Sequence, residues 1–227
     1  MDLFTLPDLF ALIFFLVSWL GYGFVLEWTA YGRGGLNARM HIHRDGWMQE
    51  MLRRDMRMVD AQIMASLQNG TAFFASTSLI AIGGTLTILR STDDLITIVS
   101  TLPFGVPTTR MLWEIKTIGL AVIFVYAFFK FAWSYRLYNY VAIMIGAMPP
   151  SSAKDDGDAR RHAIRTGKLC ESAGRHFNRG QRAFFFALGY LGWFVSPWLL
   201  FATTAAIVVV MWNRQFTSDA SASMTAH

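Results

Sequence analysis

The sequence predicts an all-α polytopic membrane protein with four transmembrane helices and two basic cytoplasmic segments, and three observations predict it. Of 227 residues, 54% are hydrophobic and 15% charged, where soluble domains carry roughly 25% charged residues, so a bilayer suits this chain better than water. The apolar residues fall in long runs: Leu9–Leu26, Ala61–Leu89 and Ala183–Asn213 contain no charge, and each can cross a core that needs about 20 apolar residues. The basic residues fall between those runs, in Arg33, Arg39, Arg44, Arg53, Arg54 and Arg57, and again in Lys154, Arg160, Arg161, Arg165, Lys168, Arg175, Arg179 and Arg182. The positive-inside rule puts both basic segments in the cytoplasm and both termini outside, as in a multi-pass protein of a bacterial inner membrane. This topology accounts for a pI near 9.6 without nucleic-acid binding.

The expected spans cover about 8–30, 60–89, 112–148 and 183–213 of a single membrane domain, 1–216, followed by a disordered tail, 217–227. The first span carries Asp2 and Asp8 where a secretory signal has a basic n-region, so it reads as a retained helix. Gly32, Gly34 and Gly35 then break the helix, and WMQEMLRRDMRMVDAQIM from Trp47 predicts one interfacial helix leading into the second span. The second span is rich in Ala, Ser and Gly, which let backbones approach in lipid, so it is expected at the centre of the bundle and as a seam for a homo-oligomer. Leu95–Thr109, interrupted by Pro103, Gly105 and Pro107, is too short for an ordinary span and predicts a short outer helix or re-entrant piece. Met111–Met148, helical throughout, would reach about 55 Å at 1.5 Å per residue, so one end must project. Pro149 and Pro150 stop it, and an amphipathic helix is expected from about Asp158 to Arg175.

No motif specifies chemistry. His41-x-His43 points to opposite faces of a helix, and no HExxH, CxxC or EF-hand spacing accompanies it, so no metal site is assigned. The residues around Lys168 do not fit a Walker loop, there is no GxSxG, and neither catalytic residues nor a cofactor are expected. Cys170, the single cysteine, reads as a reduced structural thiol.

The informative constellation is a polar layer at one membrane depth: Glu27, Asp60, Gln68, Asn69, Lys130, Arg136, Asn139 and Arg182. A charge at mid-depth costs about 2.5 kcal/mol or more, so partners are expected: Glu27 with Lys130, and Asp60 with Arg136 or Arg182. Arg136 is also placed to stack on Trp133 or Tyr140 in an interfacial aromatic belt. The layer suggests an oligomeric channel or transporter for a small anionic solute. The alternative is a non-catalytic scaffold that docks a protein or anionic lipid headgroups through its basic segments.

Three stretches, GTAFFASTSLIAIGG, WEIKTIGLAVIFVYAFFKFAWSYRLYNYVAIMIGAMP and AGRHFNRGQRAFFFALGYLGWFVSPW, resemble the integral membrane proteins called domain of unknown function 599, found in bacteria and plants. The resemblance covers about Leu9 to Phe216. It implies a four-helix membrane protein and brings no activity or site residue with it.

Overall fold

The computed structural model describes residues 4–101 and 108–217, and these are helical without strands. Helix α1 (Leu6–Trp28) starts where Thr5 accepts from the Asp8 amide and Pro7 occupies the first turn, a combination that satisfies amides left open at a helix start. A short α2 (Ala30–Arg33) and then α3 (Leu36–Leu52) follow, before α4 (Met58–Arg90) and α5 (Thr92–Ser100). Helix α6 (Arg110–Gly146), capped by Thr109, leads through a 3-10 turn at Ser151–Ala153 into α7 (Gly157–Tyr190). The chain then turns through α8 (Gly192–Val195) into α9 (Pro197–Phe216).

Among the described residues four helices are long and apolar enough to cross a membrane: α1, α4, α6 and α9. The number is the expected one, but the stretch 183–213 is not a single helix. It breaks between Tyr190 and Pro197, because Ser196 caps a new helix and Pro197 fits its first turn. Gly192 sits where a Cβ would lie 2.6 Å from Thr203 Oγ1 and 2.9 Å from the Leu199 carbonyl oxygen, so the reversal requires glycine there. The amphipathic helix expected at Asp158–Arg175 does not end at Arg175 either. It continues to Tyr190 as α7, which lies antiparallel along the whole of α6. The Ser134 hydroxyl donates to the Ala173 carbonyl at 2.8 Å, His162 Nε2 lies 2.8 Å from the Met144 carbonyl, and Lys116 Nζ donates to the Trp193 carbonyl at 2.9 Å.

The ends of the helices sort into two groups. The start of α1 meets the α7–α9 turn, where Trp193 Nε1 donates to Asp8 at 2.7 Å. At the other end Gln215 of α9 packs against Gly35, just beyond α1. Helices α1 and α9 are therefore parallel, with Phe14 on Phe201 at 5.0 Å between ring centroids, and Leu6 and Phe216 lie at opposite ends of the bundle. The expectation placed both termini on one side; the reversal at Gly192 instead directs α9 back toward the end of the bundle where α1 finishes. The tail beyond residue 217 and the Pro-Gly-Pro stretch 102–107 lie outside the described residues, but α5 supplies the short helix expected near Leu95.

Two further expectations fail. The helix predicted from Trp47 through the second span is broken at residues 53–57, and α3 begins earlier, at Leu36. Helix α4 is not central either: its tertiary partners are chiefly α6 and α5, and a Cβ on Gly70, Gly83 or Gly84 would meet nothing within 4 Å. The centre belongs to α6 and α7. The buried α7 positions Ala159, Ala163, Cys170, Ala173, Gly180, Ala183 and Ala187 recur at helical spacing and are small, so the two axes lie close.

One core, including Phe15, Phe131, Phe186 and Trp193, fills the space between α1, α6, α7 and α9. A second joins Met48 and Met51 of α3, Met64 of α4, the last turns of α6 and the polar half of α7. It encloses the projecting end of α6 that the helix length predicted. Cys170 lies in it with no exposed surface, and burial pushes its thiol up to about 11, which keeps it protonated and unreactive.

Candidate functional site

The expected polar layer separates into independent local sets. Glu27 does not reach Lys130; it pairs with Arg179 and Arg182 of α7 instead, accepting from Arg179 Nε at 3.0 Å as well as from a terminal nitrogen of each guanidinium. Asp60 pairs with neither Arg136 nor Arg182. It accepts from Trp47 Nε1 at 2.6 Å and lies 3.4 Å from Arg54. Sequence reasoning missed this because the chain break at 53–57 is what folds α3 back onto the start of α4. Gln68 and Asn139 bond one another at 2.6 Å, and Asn69 points outward from α4. Lys130 is half-buried with its ammonium over the Tyr126 ring at 5.0 Å. Arg136 is exposed, bonded to the Tyr140 hydroxyl at 2.7 Å and stacked on both Trp133 and Tyr140, the stacking anticipated from helical spacing.

Asp60 has no exposed surface, and one of its oxygens has no partner among the described residues. Replacing it with Ala is expected to destabilise the protein by about 1–3 kcal/mol, since the indole N–H of the half-buried Trp47 then loses its acceptor. Thermal unfolding followed by Trp fluorescence reads this; an unchanged midpoint would contradict the assignment.

A recess with polar walls lies at the end of the bundle where α1 and α9 finish. Its 390 Å³ main chamber lies between the end of α1, the start of α3 and the middle of α7. A smaller chamber of 130 Å³ continues toward Tyr22, Gln181 and Arg214. The two share Asn37, Asn178, Arg182 and Gln215 in their walls. Helix α7 builds the recess because Arg175, Arg179 and Arg182, spaced by four and three residues, share one face. Four guanidinium groups, Arg175, Arg179, Arg182 and Arg214, line the chambers against two carboxylates, Glu27 and Glu171. Glu27 lies in the last turn of α1, where the helix dipole disfavours a carboxylate, and the two arginines offset that cost.

His41 stands at the wall with Nδ1 3.6 Å from Glu171. Burial holds its pKa below the ordinary 6.5, with Arg44 and Arg175 adding to the depression and Glu171 and Asp45 opposing it. The folded state therefore binds fewer protons than the unfolded state in the window below 6.5. Stability is complete above that value and declines as the pH falls through the depressed pKa. His41→Gln is expected to flatten this part of the stability–pH curve measured between pH 5 and 7; an unaltered slope would exclude His41 as its source. Among the described residues no group of three or more His, Cys, Asp and Glu side chains is arranged to hold a metal ion.

With this geometry in place, comparison with known families gives a match over residues 10–220 to the family described as "Protein of unknown function, DUF599". The chain belongs to this family. No similarity was found to a curated protein or to a solved structure. Family membership covers all four membrane-length helices and the recess alike, and assigns no role to either.

A second polar cluster, missed in the sequence, lies at the opposite end of the bundle. Asp8 and Lys116 are buried 3.8 Å apart, and Trp193 bridges them, donating its indole N–H to Asp8 and accepting from Lys116 at its carbonyl. The signal was present: Asp8 sits three residues after the Thr5 cap in a Thr-Leu-Pro-Asp helix start, and Lys116 lies nearly two turns inside an apolar helix. This cluster is enclosed by packing and opens onto none of the recess chambers, which suits it to joining helices.

Proposed function

We propose that this membrane protein binds a small anion or anionic group in the recess between α1, α7 and α9, as the binding step of a transport function, and that it is not an enzyme. The observation that carries the reading is the convergence of Arg179 and Arg182 on the single carboxylate of Glu27, beside Arg175 and Arg214. A guanidinium fork suits phosphate or carboxylate oxygens. The recess, rather than a vestibule bordered by Lys130 and Arg136, is the favoured place, since Arg136 is exposed and engaged by aromatic neighbours.

The basic residues of α3 and of the first half of α7 lie at the recess end, which supports placing that end in the cytoplasm of a bacterial inner membrane, with the N-terminus outside and the C-terminus inside. A homo-oligomer formed through the small-residue face of α4 would give such a protein more than one recess. The scaffold alternative would use Arg160, Arg161 and Arg165 of the second basic segment, and it draws less support because the first two are paired with Asp155 and Asp158.

The test is anion binding by the purified protein in a neutral detergent, titrated with inorganic phosphate and followed by thermal unfolding. Glu27→Gln releases both arginines and is expected to tighten binding roughly fivefold, about 1 kcal/mol for one unit of charge. The double change Arg179→Gln and Arg182→Gln is expected to abolish the stabilisation. Equal responses from wild type and both variants would overturn the reading.

A further inference from the structure

Glu27, Arg179 and Arg182 wall a second opening besides the recess. A groove of 490 Å³ leaves the ion cluster and runs between α1 and α6, lined by Trp19, Leu20, Gly23, Phe24 and Trp28 on one side and Tyr126 on the other. Trp19, Leu20, Gly23, Phe24 and Glu27 follow one another at helical spacing along one side of α1. From Glu27 to Trp19 this strip is about 12 Å long at 1.5 Å per residue. It points away from the polar end of the bundle, into the part of α1 whose Leu16, Val17 and Leu20 are exposed. A water-soluble anion has no use for this extension, whereas an amphiphile uses both halves.

From this continuity we infer that the anionic group bound in the recess is the headgroup of a phospholipid from the leaflet at that end, with an acyl chain along the α1 groove. The inference rests on the anion-binding reading above and narrows it to a class of ligand. Arg182 is the hinge of the arrangement. It lines both chambers and the groove, its side chain is only 11% exposed, and it is held against Glu27 between α1 and α7. Arg179 is 33% exposed and can turn its outer edge to a phosphate. Lys130 extends the cationic rim: it covers the ring of Tyr126, the α6 wall of the groove, and has no carboxylate partner among the described residues. This gives Lys130, unexplained by membrane anchoring, a role at the rim of a lipid site. The missing side chain of Gly23 leaves room next to the Arg182 guanidinium, where a Cβ would lie at an ordinary 3.8 Å.

The experiment compares phosphatidylglycerol, phosphatidylcholine and soluble glycerol phosphate as ligands of the full chain in a neutral detergent, with lipid retention read by native mass spectrometry and soluble binding by thermal unfolding. Wild type is expected to retain phosphatidylglycerol over phosphatidylcholine by roughly 25-fold, as two basic groups near a headgroup predict, and to bind it well above glycerol phosphate. Leu20→Trp, which adds bulk to a groove residue that lines neither chamber, is expected to lose most of the phosphatidylglycerol retention while binding glycerol phosphate as wild type does. Gly23→Ala, which leaves the groove open, is expected to keep both. If glycerol phosphate binds as tightly as the lipid, or Leu20→Trp retains the lipid unchanged, the lipid inference falls and the anion site stands. If neither the lipid nor the soluble anion is preferred over phosphatidylcholine, both fall.

Discussion

Asp8→Ala is expected to destabilise the protein by about 3–5 kcal/mol, the cost of breaking a buried ion pair from one side. Asp8 and Lys116 side chains are each 5% exposed, and at 3.8 Å their direct contact is at the edge of ion-pair distance. The cluster is held by Trp193, whose indole N–H reaches Asp8 at 2.7 Å and whose carbonyl takes the ammonium at 2.9 Å. Loss of the carboxylate leaves the indole N–H without an acceptor and the ammonium with one carbonyl and the face of the Trp193 ring, 5.1 Å away. Lys116→Met should cost less, because Asp8 would still accept from Trp193 and from the Thr5 hydroxyl and would still face the positive end of the α1 dipole. Asp8→Leu combined with Lys116→Met should recover most of the loss, as replacement of a whole buried pair by apolar groups usually does. Thermal unfolding in detergent gives the order. If Asp8→Ala and the double variant unfold together, the pair is not coupled and Trp193 alone holds the turn.

The positions of these residues show what the sequence makes legible. Three of the long apolar runs correspond to α1, α4 and α6 because uninterrupted hydrophobicity is a property of each residue, independent of its neighbours in space. The fourth run was misread because hydropathy registers composition and is blind to the capping signal inside it, Ser196-Pro197 after Gly192. Helix α7 was hidden for the opposite reason. Arg175, Arg179 and Arg182 make it too polar for a span, yet its small buried face runs the length of α6. The ionic partners were the least legible part. Depth along a helix can be counted from a boundary, but the direction of a side chain depends on which helices are adjacent. Glu27 was placed at its correct end of α1 and given the wrong partner, because the guanidinium groups it meets belong to a helix not expected to turn back past it.

At Gly180 the close seam between α6 and α7 links stability to the site. A Cβ built on Gly180 would lie 2.7 Å from Phe131 Cε1 and 2.9 Å from two more atoms of the same ring. The ring cannot retreat: it is fully buried, stacked on Phe74 with centroids 5.3 Å apart and wedged against Phe177 at 5.6 Å. Gly180→Val is therefore expected to cost about 3 kcal/mol, the upper part of the range for overpacking a tight core. Gly180→Ala combined with Phe131→Leu, which removes ring atoms where the Cβ is added, should regain much of the loss suffered by Gly180→Ala alone. Gly70→Ala is the control. Nothing lies within 4 Å of its Cβ position, and the gain in helix propensity, up to about 1 kcal/mol, should leave stability equal or improved. Gly180 also stands between Arg179 and Arg182. A valine that pushes α7 away from α6 would shift both guanidinium groups relative to Glu27, so phosphate stabilisation should weaken along with the melting temperature. Undiminished phosphate binding in a destabilised Gly180→Val protein would show that the recess does not depend on the seam and that α1 and α9 alone hold its shape.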